Sequence, residues 1–400
     1  MSKSAYSPAV SGEDNKSEKL FPATLQNSSR SGSSPDYLFV SNVRFLSMAG
    51  VVAIHCIYGL FTGQGIVASN QMLLLMMQPF KFATIGFFLI SGFLMEDRLT
   101  QRSPLEYMLR RIRTVFAPWS FWFLAFCVAM TARRAALEKF NLHSAHDTVF
   151  FIFKISHTLL FTTAYWFVPN LMVALGILML CRRFLFNPRL GFLFAAMSLF
   201  YSLNLYTHWI AAISHPHALF GFVFYLWLGA WTANNRSAFT RWIELIPMPA
   251  MIAIVLVAAL AALGEGLFLI RLGTDEPANT LRISNQIFSV AMVLLIFRAR
   301  KPLSPRTINV RATTFGIYLV HVPVMAALMH LVPNAKLNRL ASAQPNFSYV
   351  VMLCSGLFFF AAIYGCSLTI TQWILHYPRL RWMVGNFSLN SHSQGVGEFS

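Results

Sequence analysis

The stretch LFVSNVRFLSMAGVVAIHCIYGLF, Leu38 to Phe61, decides the fold. It holds a single charged side chain, Arg44, and is long enough to cross the ~30 Å hydrocarbon core of a bilayer as a helix. Arg44 and His55 are costly inside such a run, so both count as candidate functional residues. Their separation is about three helical turns, which sets both on one face, ~16 Å apart along the axis. Arg44 then stands at the inner headgroup level and His55 near or beyond the midplane. Taken singly, an interfacial anchor and a satisfied packing histidine would explain them. The pair on one face favours function.

Composition agrees with the membrane reading. Of 400 residues only 11% are charged and 56% are hydrophobic, with 38 phenylalanines; a soluble chain carries about a quarter charged residues. This excludes a sizeable soluble domain. The net charge of +17 comes from short basic clusters between apolar runs. That pattern sets orientation and meets anionic headgroups, so membrane lipids are expected partners and nucleic acid is not. Cys56, Cys127, Cys181, Cys354 and Cys366 all lie in apolar runs without a C-x-x-C pair. They read as reduced packing residues, neither a disulfide framework nor a zinc site.

Hydropathy divides the chain into a Ser-rich disordered cytoplasmic tail (1–37), a membrane domain (38–375) and a polar cytoplasmic tail (376–400). The first tail lacks the apolar core of a signal peptide, so the first span reads as an uncleaved anchor. The expected fold is all-α and polytopic, with ten spans near 39–60, 72–95, 114–131, 166–184, 190–207, 217–233, 247–270, 282–299, 312–331 and 347–373. The apolar segment 148–161 is short and carries Lys154 and His157, so it reads as an outer-surface or re-entrant helix. With both termini inside, 22 Lys/Arg face inward and 8 outward, Lys81 lying within the second span. That asymmetry supports the orientation. No internal repeat of the transporter kind is visible.

Other residues take positions on this frame. Ser91 and Gly92 end the second span about one turn inside the inner interface, where small residues admit another backbone or a ligand. Arg110, Arg111 and Arg113 cluster at the inner mouth of the third span. Guanidinium groups there suit a phosphate-bearing ligand, although positive-inside signals also take this form. Tyr318 and His321 share a face of the ninth span. Tyr165 and Trp166 open the fourth span, at a level where aromatic belts also sit. Glu265, the one carboxylate well inside an apolar run, reads as a proton relay, an orienter, or a group reaching the outer interface. His208, His215 and His217 lack an accompanying carboxylate or cysteine, so no metal site is expected.

These elements together resemble the membrane acyltransferase family three. The resemblance rests on the Arg44–His55 spacing, FFLISGFLM closing the second span, the RRIR cluster, Tyr-Trp-Phe at 165–167 and GIYLVH near the end, across about residues 38 to 373. It implies transfer of an acyl group, usually acetyl, from cytoplasmic acyl-coenzyme A to a hydroxyl of an extracytoplasmic or lipid-linked glycan. Acetyl-CoA or another acyl-CoA would serve as donor substrate, with no permanently bound cofactor. It implies His55 as the catalytic histidine, Arg44 as its essential partner, and Arg110, Arg111 and Arg113 near the coenzyme A phosphates, in a bacterial cytoplasmic membrane. The donor arm would pass Ser91 and Gly92, with Tyr318, His321, Trp166, Lys81 and Glu265 in supporting positions. TLLFTTAYWFVPN lacks the acidic element many bacterial members carry before the fourth span. His55 would act as general base or as an acyl relay. Two other classes share parts of this pattern: a secondary transporter of organic anions, and a non-enzymatic partner in polysaccharide assembly.

Overall fold

The computed structural model describes residues 35–63, 69–99, 103–137, 145–210, 214–330 and 345–387. Most of the two expected tails, 1–34 and 388–400, lies outside the described residues. Among the described residues the chain is all-helical. In order run α1 (Pro35–Gly63), α2 (Asn70–Met77), α3 (Ala83–Leu99), α4 (Pro104–Arg111), α5 (Ala117–Leu137), α6 (Ala145–Thr162) and α7 (Phe167–Leu180). Then come α8 (Pro188–Thr207), α9 (Val223–Asn234), α10 (Arg236–Leu245), α11 (Met248–Arg271), α12 (Ile283–Phe297), α13 (Val310–His330) and α14 (Pro345–His376).

Among the described residues, seven segments are long and apolar enough to cross a membrane: Leu38–Phe61, Asn70–Met95, Pro104–Ala136, Pro188–Thr207, Met248–Arg271, Val310–Met329 and Leu353–His376. They fall on seven of the ten expected spans. The other three expected spans are shorter helices: α7 has 14 residues, α9 has 12 and α12 has 15. Hydropathy alone gives all ten the same signature because it cannot tell lipid from protein interior. Val223, Tyr225, Leu226, Trp227, Gly229 and Ala230 of α9 are apolar and buried against neighbouring helices. The segment expected as a surface or re-entrant helix is α6, whose 18 residues break at Thr163 and turn by 81° toward α7.

Gly-mediated contacts fix the helix order around α1. A Cβ on Gly50 would lie 3.0 Å from the Ala83 Cβ, and one on Gly86 would lie 2.7 Å from the Ser47 Oγ. Rising numbers on α1 therefore meet falling numbers on α3, so the two run antiparallel. On its other side α1 runs parallel to α13. Gly59 packs against Met325 and Met329, and the His55 and His321 rings lie 5.6 Å apart.

The tightest crossing of these joins α3 to α9. A Cβ on Gly92 would fall 1.9 Å from the Leu226 carbonyl oxygen, and one on Gly229 would fall 2.0 Å from that of Leu89. Of the two uses open to a small residue near Ser91, Gly92 serves the approach of a backbone. Gly92→Ala should therefore lower stability by about 3 kcal/mol or more, because a carbonyl cannot swing aside as a side-chain tip can. Gly264→Ala, with no atom within 4 Å of the added carbon, should be near neutral. Thermal unfolding of both variants in detergent, followed by size-exclusion, checks the contrast.

Away from α1, a buried polar network ties the α2–α3 break to the start of α12. Pro79 ends α2, since it cannot extend an i to i−4 ladder. Gln78 then donates to the Asn285 Oδ1 (3.0 Å) and accepts from Arg282 (2.7 Å). Arg282, at the first position of the expected span 282–299, is wholly buried. Its remaining donors reach the Ala262 carbonyl at 2.6 Å and the Asn279 carbonyl at 3.1 Å. Backbone acceptors inside the bundle hold this guanidinium.

Candidate functional site

A cavity of about 220 Å³ opens between α1, α3, α7, α13 and the α4–α5 junction. Each wall presents residues at helical spacing: Arg44, Val51 and His55 from α1; Thr84, Phe87, Ser91 and Leu94 from α3; Arg311, Thr314, Phe315 and Tyr318 from α13. It lies along the seam of two hydrophobic clusters, with Phe87 and Phe167 packed against both.

The helix directions give the cavity two chemically different ends. Since α1 and α13 run parallel with His55 beside His321, stepping back about three turns on each brings Arg44 and Arg311 to one level. Antiparallel α3 carries Ser91 and Leu94 to the same end, and the Phe39–Phe93 ring contact of 4.8 Å agrees. Arg111 joins them. One end thus holds three guanidinium groups, with Arg311 exposed and Arg44 and Arg111 half-buried. The other holds the His55 imidazole, the Thr84 hydroxyl and Tyr318.

Arg111 is aimed by its own helix. Its Nε donates to the Tyr107 hydroxyl at 2.8 Å, and its guanidinium lies over the Tyr107 ring, 5.1 Å from the centroid. Tyr107 is buried, so this platform is fixed. Immediately after Arg111 the chain makes a π-helical turn, Ile112–Phe116, which leaves Arg111 and Val115 on the cavity wall. Gly385, at φ +72°, backs this turn: a Cβ there would lie 2.5 Å from the Thr114 carbonyl oxygen and 2.8 Å from the Phe315 ring. That carbonyl and ring leave room only for glycine, and the positive φ also favours it.

The His55 end is closed by paired bonds between α13 and the turn before α7. Tyr318 donates to the Ala164 carbonyl at 2.6 Å, and Tyr165 donates to the Leu319 carbonyl at 3.1 Å. The Trp119 indole donates to the Tyr165 carbonyl at 3.0 Å. Buried carbonyls freed by the break at Thr163 are thereby satisfied.

Of the residues singled out in the sequence, Arg44, His55, Ser91, Arg111, Trp166 and Tyr318 line the cavity. Arg110 and Arg113 do not; Arg113 is exposed and the Arg110 carbonyl accepts from Thr114 at 2.9 Å. Gly92 faces α9. Lys81 is buried within electrostatic reach of Arg282 and Glu276. Glu265 accepts from the backbone N–H groups of Ile283 (2.9 Å) and Ser284 (2.7 Å) and from the Tyr206 hydroxyl. It therefore caps the N-terminus of α12, where orphan N–H groups favour a carboxylate. His321 is fully buried behind His55.

Sequence reasoning missed Arg311, Thr84 and Thr314. Arg311 sits one residue before the span expected to open at 312. Extending that span's face from Tyr318 back through Thr314 by turns of three and four would have reached it.

An all-helical integral membrane protein with a cavity that is basic at one end and carries an imidazole at the other is the class these features define. The chain belongs to acyltransferase family 3: the model of the acyltransferase domain matches residues 37–366. It is a membrane acyltransferase. Neither a search of curated proteins nor one of solved structures gives a match.

Proposed function

We propose that this acyltransferase moves an acetyl group from cytoplasmic acyl-coenzyme A to a hydroxyl of an extracytoplasmic or lipid-linked glycan, in a bacterial cytoplasmic membrane. The observation that carries the reading is the two-ended cavity. Arg44, Arg111 and Arg311 at its mouth suit the phosphates of a donor whose nucleotide stays outside. The interior, past Ser91 and Phe87, takes the thin pantetheine arm in this reading, and the thioester then reaches His55.

The chemistry uses His55 as general base. Its neutral nitrogen takes the proton of the acceptor hydroxyl as that oxygen bonds to the thioester carbonyl carbon. The carbon–sulfur bond breaks, and the thiolate leaves with the proton returned by the imidazolium. The Thr84 hydroxyl on the wall is a donor within the cavity for the carbonyl oxygen as it gains charge, whereas the Thr314 hydroxyl already donates to the Val310 carbonyl at 2.6 Å.

Mass spectrometry of surface glycans from cells with and without the gene tests the reading. Loss of a defined acyl mass from glycan hydroxyls on deletion is the expected result. Unchanged glycans, with label from acyl-coenzyme A entering vesicles without any acyl acceptor, would instead mark an organic-anion transporter.

A further inference from the structure

His321 is placed in a way that packing alone does not explain. Its Nδ1 lies 2.7 Å from the Tyr318 carbonyl oxygen and 3.2 Å from that of Ile317. Carbonyls only accept, so Nδ1 carries the hydrogen and the neutral ring presents Nε2 as a lone-pair acceptor. That Nε2 is buried and has no hydrogen-bond partner among the described residues. A buried polar atom left unmatched is costly, so it requires an explanation. The nearest imidazole is that of His55, 5.6 Å away between ring centroids and tilted by 47°.

We propose that His321 is the positioning residue of the acyl-transfer base, its Nε2 accepting the N–H of His55 when the His55 ring turns toward it. This rests on the general-base reading of His55. The bond would hold one His55 nitrogen away from the cavity and leave the other facing the acceptor hydroxyl. When His55 takes the hydroxyl proton, the bond gains charge and strengthens, so it favours the transition state over the resting enzyme. The anchor of His321 is backbone, through Tyr318, whose own hydroxyl is tied to Ala164. The orienting group is thus fixed by α13 and the break before α7. Other ionisable groups facing His55 are Arg44 on its own helix, Arg111 and Arg311 at the mouth, and Tyr318 across the cavity. None of these is an anionic acceptor at neutral pH.

Two variants separate orientation from anchoring. His321→Asn keeps a donor for the Tyr318 carbonyl and removes the distal acceptor; His321→Gln keeps an acceptor near the Nε2 position and removes the anchor geometry. The readout is carbethoxylation of His55 by diethyl pyrocarbonate across pH, followed by peptide mass spectrometry on the full chain in nanodiscs. It needs no acyl acceptor, so it stands apart from the proposed substrate. His321→Asn should move the midpoint of His55 modification to lower pH, and His321→Gln should restore it. In the acyl-transfer assay His321→Asn should lower kcat by ~10–100-fold, by analogy with loss of the partner that orients a metal-ligating imidazole, with donor KM unchanged. A His321→Asn protein with the wild-type midpoint, or a His321→Gln protein behaving worse than it, would overturn the proposal in favour of a packing anchor. Nitrogen-15 spectra of histidine-labelled wild-type protein add a test of the premise without a variant. His321 should hold the Nδ1–H tautomer, and an Nε2–H tautomer would overturn the proposal.

Discussion

His55→Ala should abolish acyl transfer while the protein still inserts and folds. General-base catalysis contributes ~10²–10⁴-fold, and no other imidazole among the described residues lines the cavity. The variant removes a partly buried ring from the cavity wall, not a member of either hydrophobic cluster. Its effect on stability should therefore be small beside its effect on rate. Adding Ile54→His to this variant should not restore activity, because one residue rotates the ring ~100° around α1 at nearly the same depth. Turnover in reconstituted vesicles, alongside a thermal melt, reads both quantities. An active His55→Ala enzyme would remove the base mechanism and leave this cavity a binding site only.

The second large effect is expected at the mouth. Arg111→Gln and Arg311→Gln should each raise the donor KM, by an amount corresponding to ~1.5–3 kcal/mol for each charge-assisted bond to phosphate that the substitution removes. Arg111, half-buried and held by Tyr107, should fall at the upper end. Arg311 is exposed, so solvent screening should bring it to the lower end or below. Arg44→Lys should also reduce activity substantially, since the ammonium keeps the charge but not the planar fork. Arg113→Gln is the control: it lies outside the cavity, and its donor KM should stay at the wild-type value. Steady-state kinetics over a range of acyl-coenzyme A concentrations separate these outcomes. A rise in KM for Arg113→Gln equal to that of Arg111→Gln would return the whole cluster to a diffuse surface attraction.

The arginine cluster shows why reading a helix from sequence stops short. On an ideal helix Arg110 and Arg113 share a side and Arg111 points away from it. The structure keeps that split, with Arg111 on the cavity wall and Arg110 and Arg113 off it, but which side meets the cavity is decided by packing around the π-helical turn after Arg111, which the close approach of Gly385 supports. Nothing in LRRIRTVF announces an extra residue per turn, because the feature that backs it lies at the C-terminal end of the described chain. Gly92 is a similar case. A small residue is legible in sequence as a place of close approach, yet whether ligand or helix arrives depends on Leu226, which only the fold brings there. Glu265 and Lys81, singled out as costly ionisable groups, do not line the cavity: Glu265 caps α12, and Lys81 lies within electrostatic reach of Arg282 and Glu276. The cost of burial identifies such groups without saying what satisfies them.

By itself the sequence determined the membrane class, the all-helical fold and the pairing of Arg44 with His55. Those properties are local: apolar length sets a span, and helical periodicity sets which residues share a face. The tertiary structure alone decided that Arg311 completes the mouth with Arg44 and Arg111, that α7, α9 and α12 are short helices, and that His321 stands behind His55. Each of these depends on which helices lie side by side and in which direction. That is settled by packing between residues far apart in the chain, as where Gly59 meets Met329 and Gly92 meets Leu226.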